Sequence, residues 1–357
     1  MRASASTAIA LAIGAAGGVA FYLLHSPLPW TLGSLFASAL AALLGGRWFL
    51  PRMAWAVARP FVGVLAGSAF TLPVILNMPS WWDTILVLIA YSAAATLLGW
   101  LFFTRICKYD DVTAFFASAP GGLGELTLLG STLGGQVRTL VLIHAARIVV
   151  VVFTVPFIVR YLVEPDALSS AAAAGKSVLA GPTPLDWVVM TVCAVAGYFL
   201  GRPLRSFGGV MLGPMLLSAV VHIAGITEVS PPYWLVAAMQ IVIGSICGAR
   251  FVGTTRSELR STAGYAVIWA FIITLLALLS AWICTFFTDQ PLVALVLAFS
   301  PGGIVEVTVM AYAIGLHVAF IVTTQICRTT LVLLITPGLF RLARIANRVR
   351  GADDEII

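Results

Sequence analysis

The chain has 357 residues, of which 61% are hydrophobic and only 10% charged. A soluble globular domain carries about 25% charged residues, so this composition excludes an ordinary soluble fold and points to an integral membrane protein. Lys and Arg total 20 against 14 Asp and Glu, a net charge of +6; the positive charges fall in short loops and at the C-terminus, which suits a positive-inside orientation better than nucleic-acid binding.

Apolar segments are predicted at 6–24, 29–46, 60–77, 83–104, 111–134 and 138–160. A stretch without strong periodicity, 163–183, reads as a linker. Six further segments follow at 184–200, 209–226, 232–249, 263–287, 292–316 and 318–340, then a polar tail. The expected organisation is a first membrane repeat at 1–162, the linker at 163–183, a second repeat at 184–341 and a tail at 342–357. The run Ala8–Leu24 has the look of a signal peptide, but the same pattern starts the second half, so it reads as a span.

The halves align almost without gaps. An offset of 180 takes Gly33 to Gly213 and Ser38 to Ser218. An offset of 181 takes Gly63 to Gly244, Gly67 to Gly248, Glu125 to Glu306 and Arg147 to Arg328. Charge, however, reverses between equivalent loops. Arg47, Arg52 and Arg59 follow the second segment, whereas the equivalent loop near Glu228 has no Lys or Arg. Conversely, the loop 77–83 has no basic residue and its counterpart holds Arg250, Arg256 and Arg260. The repeats therefore face opposite ways, which needs an odd number of crossings in each. The fifth segment is the one that need not cross. The expected fold is an all-α polytopic membrane protein of two inverted-topology repeats, each about five spans plus a broken or re-entrant helix. That arrangement leaves only Arg160 and Lys176 on the outer side, with both termini inside.

The broken segment is marked by Ser118-Ala-Pro-Gly-Gly-Leu-Gly-Glu-Leu-Thr127 and by its copy Phe299-Ser-Pro-Gly-Gly-Ile-Val-Glu-Val-Thr308. A Pro-Gly-Gly break inside lipid frees backbone groups that protein, water or a ligand must satisfy. The plain alternative is a packing kink. Intramembrane Glu125 and Glu306 are site candidates by their cost alone. Glu125 precedes Gln136 by as many residues as Arg147 follows it, so a hairpin turn there brings acid and base to one depth. Glu306 and Arg328 are spaced in the same way about His317. Two readings stand: structural ion pairs, or a substrate site or gate. Thr127 and Thr308 offer hydroxyls nearby. His144, whose counterpart is Gln325, lies one turn from Arg147 and would join a proton or polar relay with Glu125 and Glu306. The five cysteines are scattered and read as packing residues, and no enzyme motif or metal-ligand spacing is present, so neither catalysis, a metal nor a cofactor is expected.

The doubled Pro-Gly-Gly-x-x-Glu segments resemble those of the bacterial AbrB-duplication membrane proteins, and the resemblance spans Ala8 to Arg341. Such proteins are labelled ammonia monooxygenases or regulators of gene expression, and are also treated as transport proteins. The resemblance implies a multi-pass protein of the bacterial inner membrane. It carries Pro120, Gly121, Gly122 and Glu125, with Pro301, Gly302, Gly303 and Glu306, over as family residues; Val305 in place of Gly124 makes the two copies unequal. The expected function is secondary transport of a small anionic or zwitterionic solute bound by these eight residues with Thr127, Arg147, Thr308 and Arg328. A proton or sodium ion would be coupled. The expected partners are the lipid bilayer and the solute, not nucleic acid; a homo-oligomer is compatible with this reading. The alternative is a membrane-embedded regulator of gene expression acting indirectly. A monooxygenase is disfavoured for lack of a copper or iron ligand set.

Overall fold

The computed structural model describes residues 2–46, 52–162, 182–203, 209–253 and 262–354. Most of the expected linker, together with Arg47, Lys176, Arg205, Arg256 and Arg260, lies outside the described residues. The first half forms α1 (Arg2–Leu23), α2 (Pro29–Leu43), α3 (Arg52–Gly67), α4 (Leu72–Asn77), a 3₁₀ turn (Met78–Trp81), α5 (Trp82–Arg105), α6 (Asp111–Ser118), α7 (Leu123–Thr132) and α8 (Val137–Leu162). The second forms α9 (Pro184–Gly201), α10 (Gly209–Ile223), α11 (Tyr233–Ala249), α12 (Gly264–Cys284), α13 (Leu292–Phe299), α14 (Ile304–Ala313) and α15 (Val318–Asp354). No strand occurs among the described residues.

Several boundaries differ from expectation; the first helix starts at Arg2, and the third segment breaks after Gly67, with α4 beginning at Leu72. The third segment begins at Arg52, not at residue 60, because Pro60 is accommodated inside α3 rather than at its start. Arg52 and Arg59 are therefore helical residues and not loop charges. A Pro within a membrane helix is tolerated where neighbouring groups take up the freed backbone. The segment 342–357, expected as a tail, continues α15 in helical form as far as Asp354.

The repeats interlock rather than stand side by side. α3 packs on α9 and α10 of the other half, and α11 packs on α1 and α2. Small residues make both contacts close. A Cβ on Gly244 would stand 2.6 Å from the Thr31 carbonyl oxygen, and one on Gly67 would stand 2.6 Å from Ser218 Cβ. Ser218 Oγ donates to the Val64 carbonyl at 3.0 Å across the second contact. Such backbone approach is how helices gain dispersion energy where lipid supplies no hydrophobic drive.

A second bundle holds α5, α8, α12 and α15 with two helical hairpins. The exchange recurs there, with α8 against α12 and α15 against α5. The segment α6–α7 doubles back on itself. The Gln136 amide donates to Thr113 Oγ1 at 2.9 Å, and Gln136 Nε2 donates to Asp110 Oδ2 at 3.2 Å, so the chain leaves where it entered. An Asp110 cap on the Thr113 amide fixes that entrance. The two ends of the second hairpin also meet at one place: Gln290 and His317 line one cavity, of about 610 Å³, together with Asn77, Trp81 and Glu228. Because α5 runs from that face to the face of Asp110, the two hairpins enter from opposite sides. Among the described residues six helices are long and apolar enough to cross a membrane, α1, α4 through α5, α8, α9, α12 and α15, and α2, α3, α10 and α11 are shorter apolar helices beside them. Several of these, such as the 15-residue α2 and α10, are short for a bilayer core of about 30 Å at about 1.5 Å per residue, which calls for local thinning or shielding by longer neighbours.

Candidate functional site

The break arises directly from local backbone preference. A residue before Pro is driven out of the α region, and Ala119 and Ser300 are both extended. α6 and α13 therefore stop short, leaving their last carbonyls without intrahelical donors. Gly122 and Gly303, also extended, start α7 and α14 as N-caps. Gly121 lies against Val332 of α15 and Gly302 against Val151 of α8, so each break rests on the last span of the other repeat.

Arg147 and Arg328 are each 1% exposed and donate to carbonyls at and just past these helix ends. Arg147 donates to the Ala119 and Gly121 oxygens at 2.9 and 2.6 Å. Arg328 donates to the Phe299, Ser300 and Gly302 oxygens at 3.2, 2.6 and 3.4 Å. Gln325 adds bonds to the Leu297 and Ser300 oxygens and accepts from Arg328. A cation at a helix C-terminus is also favoured by the backbone dipole. The expected ion pairs are not formed. Equal depth brought acid and base to the same level, but the guanidinium finds several carbonyls at a severed helix end. The acids sit at the opposite dipole end, in the first turns of α7 and α14. Each charge is thus balanced by a helix terminus, not by the other charge.

Glu125 and Glu306 fold back over the second glycine of each break. A Cβ on Gly122 or Gly303 would strike the carboxylate, with Cδ at 3.0 and 2.9 Å. Glu306, 4% exposed, accepts a bond from Cys247 Sγ at 3.1 Å. Glu125 is half-buried.

Both glycines and both acids line one cavity of about 260 Å³ between the bundles. Its other charged walls are Arg59 on α3 and Arg250 just past α11, both close to the Trp55 ring. Thr329 and Thr330 of α15 contribute hydroxyl-bearing residues. The remaining candidates do not line it. Pro120, Gly121, Pro301 and Gly302 shape the breaks, and Arg147, Arg328 and Gln325 cap them. Thr308 bonds back to the Ile304 carbonyl at 2.6 Å, and Thr127 and His144 are buried. Sequence reasoning missed Trp55, Arg59 and Arg250 because it read the arginines as loop charges. The signal was there in the Trp55–Arg59 spacing, which places both on one helix face. Among the described residues, no three His, Cys, Asp or Glu side chains cluster as a metal site would need.

The profile of the family described as "Transition state regulatory protein AbrB" matches residues 30–344. The chain is 27% identical to "Uncharacterized protein YhjN" of Bacillus subtilis (strain 168), over 93% of this chain and 91% of that protein. It is 26% identical to "Putative regulator AbrB" of Escherichia coli (strain K12), over 90% of this chain and 92% of that protein. The chain belongs to the AbrB family.

Proposed function

We propose that this member of the AbrB family is a secondary transporter of a small anionic or zwitterionic solute, bound between the two Pro-Gly-Gly breaks. Inverted repeats with interrupted helices meeting inside the bundle are a common architecture of secondary transporters. The observation that carries the reading is the cavity walled by both breaks at once, by Gly122 and Glu125 from one repeat and Gly303 and Glu306 from the other. The hairpins come from opposite faces, so a rocking of one bundle against the other would open the cavity alternately to each side. Glu125 and Glu306 are the groups we assign to a coupling proton, since both face the cavity. We place the protein in a bacterial inner membrane with both termini cytoplasmic, following the positive-inside bias. No catalytic step is assigned.

The test is uptake of labelled metabolites into liposomes containing the purified protein. Saturable uptake that Glu125→Gln/Glu306→Gln abolishes supports transport; its absence for every solute that binds refutes it. A second reading, indirect regulation of gene expression, draws on the Escherichia coli relative's name and the family description. In that case the metabolite is sensed or moved, and expression responds to its level.

A further inference from the structure

We infer that the cavity is built for a zwitterion, its carboxylate held between Arg59 and Arg250 and its ammonium group turned toward Glu125. The inference rests on the transport reading for its setting, and on four features of the cavity for its content.

The first feature is a pair of cations on one aromatic ring. Arg59 Cζ lies 4.9 Å and Arg250 Cζ 5.7 Å from the centre of the Trp55 ring. Both guanidinium groups also line the cavity, so a carboxylate bound beside that ring is drawn to two cations and can accept from their planar donor forks. The second is an unspent donor: Arg250 Nη1 is buried and has no hydrogen-bond partner among the described residues. The third is the acidic end. Glu125 and Glu306 line the same cavity; Glu306 is buried and accepts from Cys247 Sγ, whereas Glu125 is half-buried and the more accessible acceptor. Cys247 and Arg250 stand one turn apart at the end of α11, so one helix end reaches both the acid and the base.

Together these walls carry two formal positive and two formal negative charges. A dianion would set its second carboxylate against the glutamates, and a simple amine would leave the arginines facing each other; both are rejected by repulsion as well as by lost contacts. A net-neutral solute with separated charges meets neither penalty. The fourth feature is size. At about 260 Å³ the cavity is smaller than the roughly 300–1,000 Å³ of sites for drug-sized ligands, which suits one small metabolite. Ile148, Met211, Leu212 and Ile326 supply apolar wall for a short side chain. The arginines belong to the bundle of α3 and α11 and the glutamates to the hairpin bundle, so a bound zwitterion bridges the two.

The test measures binding to the purified full-length protein by calorimetry and melting shift, using glycine, L-alanine, L-leucine and β-alanine. Propionate and 4-methylpentanoate serve as analogues without the ammonium group, and ethylamine and 3-methylbutylamine as analogues without the carboxylate. We expect at least one zwitterion to bind and its half-analogues to bind at least about ten-fold more weakly. Arg59→Gln and Arg250→Gln should each weaken zwitterion binding by about ten-fold or more, whereas Glu125→Gln should weaken the zwitterion without weakening the matched carboxylate. If a glutamine variant does not fold, Arg59→Lys or Arg250→Lys keeps the charge, and should bind more weakly through loss of the planar donor fork. Failure of every zwitterion to bind, or a carboxylate analogue binding as tightly as its zwitterion, overturns the inference. Binding without flux would instead sink the transport reading alone. Flux of a singly charged solute, unchanged by Arg250→Gln, would sink this inference alone.

Discussion

Replacing Arg147 by Leu removes two hydrogen bonds, to the Ala119 and Gly121 carbonyls, from a site 1% exposed. A hydrogen bond from a charged donor contributes about 1.5–3 kcal/mol, so the loss should be about 3–6 kcal/mol. Adding Glu125→Gln should leave that loss in place, because Glu125 was never the partner. An ion pair predicts the reverse: breaking it costs about 3–5 kcal/mol, and replacing both members is close to neutral. Arg147→Lys should fall between, since one ammonium keeps the charge at the end of α6 but not the two-carbonyl fork. The assay is reversible unfolding of the purified protein in mixed micelles titrated with dodecyl sulfate, on Arg147→Leu, Glu125→Gln and the double variant. A double variant that recovers to within about 1 kcal/mol of the native protein would refute the capping account.

Three further outcomes follow from the packing. Gly122→Ala should cost at most about 1 kcal/mol, because its Cβ meets only the far end of the flexible Glu125 side chain, and Gly122→Ala/Glu125→Ala should remove that clash, read as a melting temperature at or above that of Glu125→Ala alone. Gly244→Val should sharply lower the yield of folded protein, since its side chain meets the Thr31 carbonyl; Gly124→Ala, with nothing within 4 Å, should leave the yield unchanged. Asp110→Cys/Gln136→Cys should cross-link on mild oxidation in native membranes, read as a mobility shift after a single engineered cut between them. A hairpin that crossed the bilayer would hold the two positions on opposite faces and give none.

Much of this arrangement is legible in the residues. The repeat is visible because glycine at close helix contacts and Pro-Gly-Gly at the breaks leave little room for a larger side chain, so the same letters return at offsets of 180 and 181. The inversion is visible because Arg is costly to translocate, so its loop bias must flip when topology does. The re-entrant hairpins follow from the odd number of crossings this requires. Partner choice was less legible. Gln136 and His317 mark the turns that set Arg147 and Arg328 at the depth of the glutamates, yet spacing along a helix says nothing about which way a long side chain turns. The arginines turn to backbone carbonyls of the two breaks, groups that no side-chain letter records. Arg59 was hidden for a different reason. Pro60 looks like a segment start, and only the continuous helix from Arg52 carries Trp55 and Arg59 into the cavity.

Counterflow in liposomes tests the central claim most directly. Vesicles containing the protein are loaded with the unlabelled zwitterion that binds best and diluted into the labelled one. Transport through the cavity between the breaks predicts transient accumulation of label that saturates with concentration, is lost in Glu125→Gln/Glu306→Gln, and is weakened by Arg250→Gln. A purified, folded protein that binds the solute yet shows no accumulation above protein-free vesicles would contradict it.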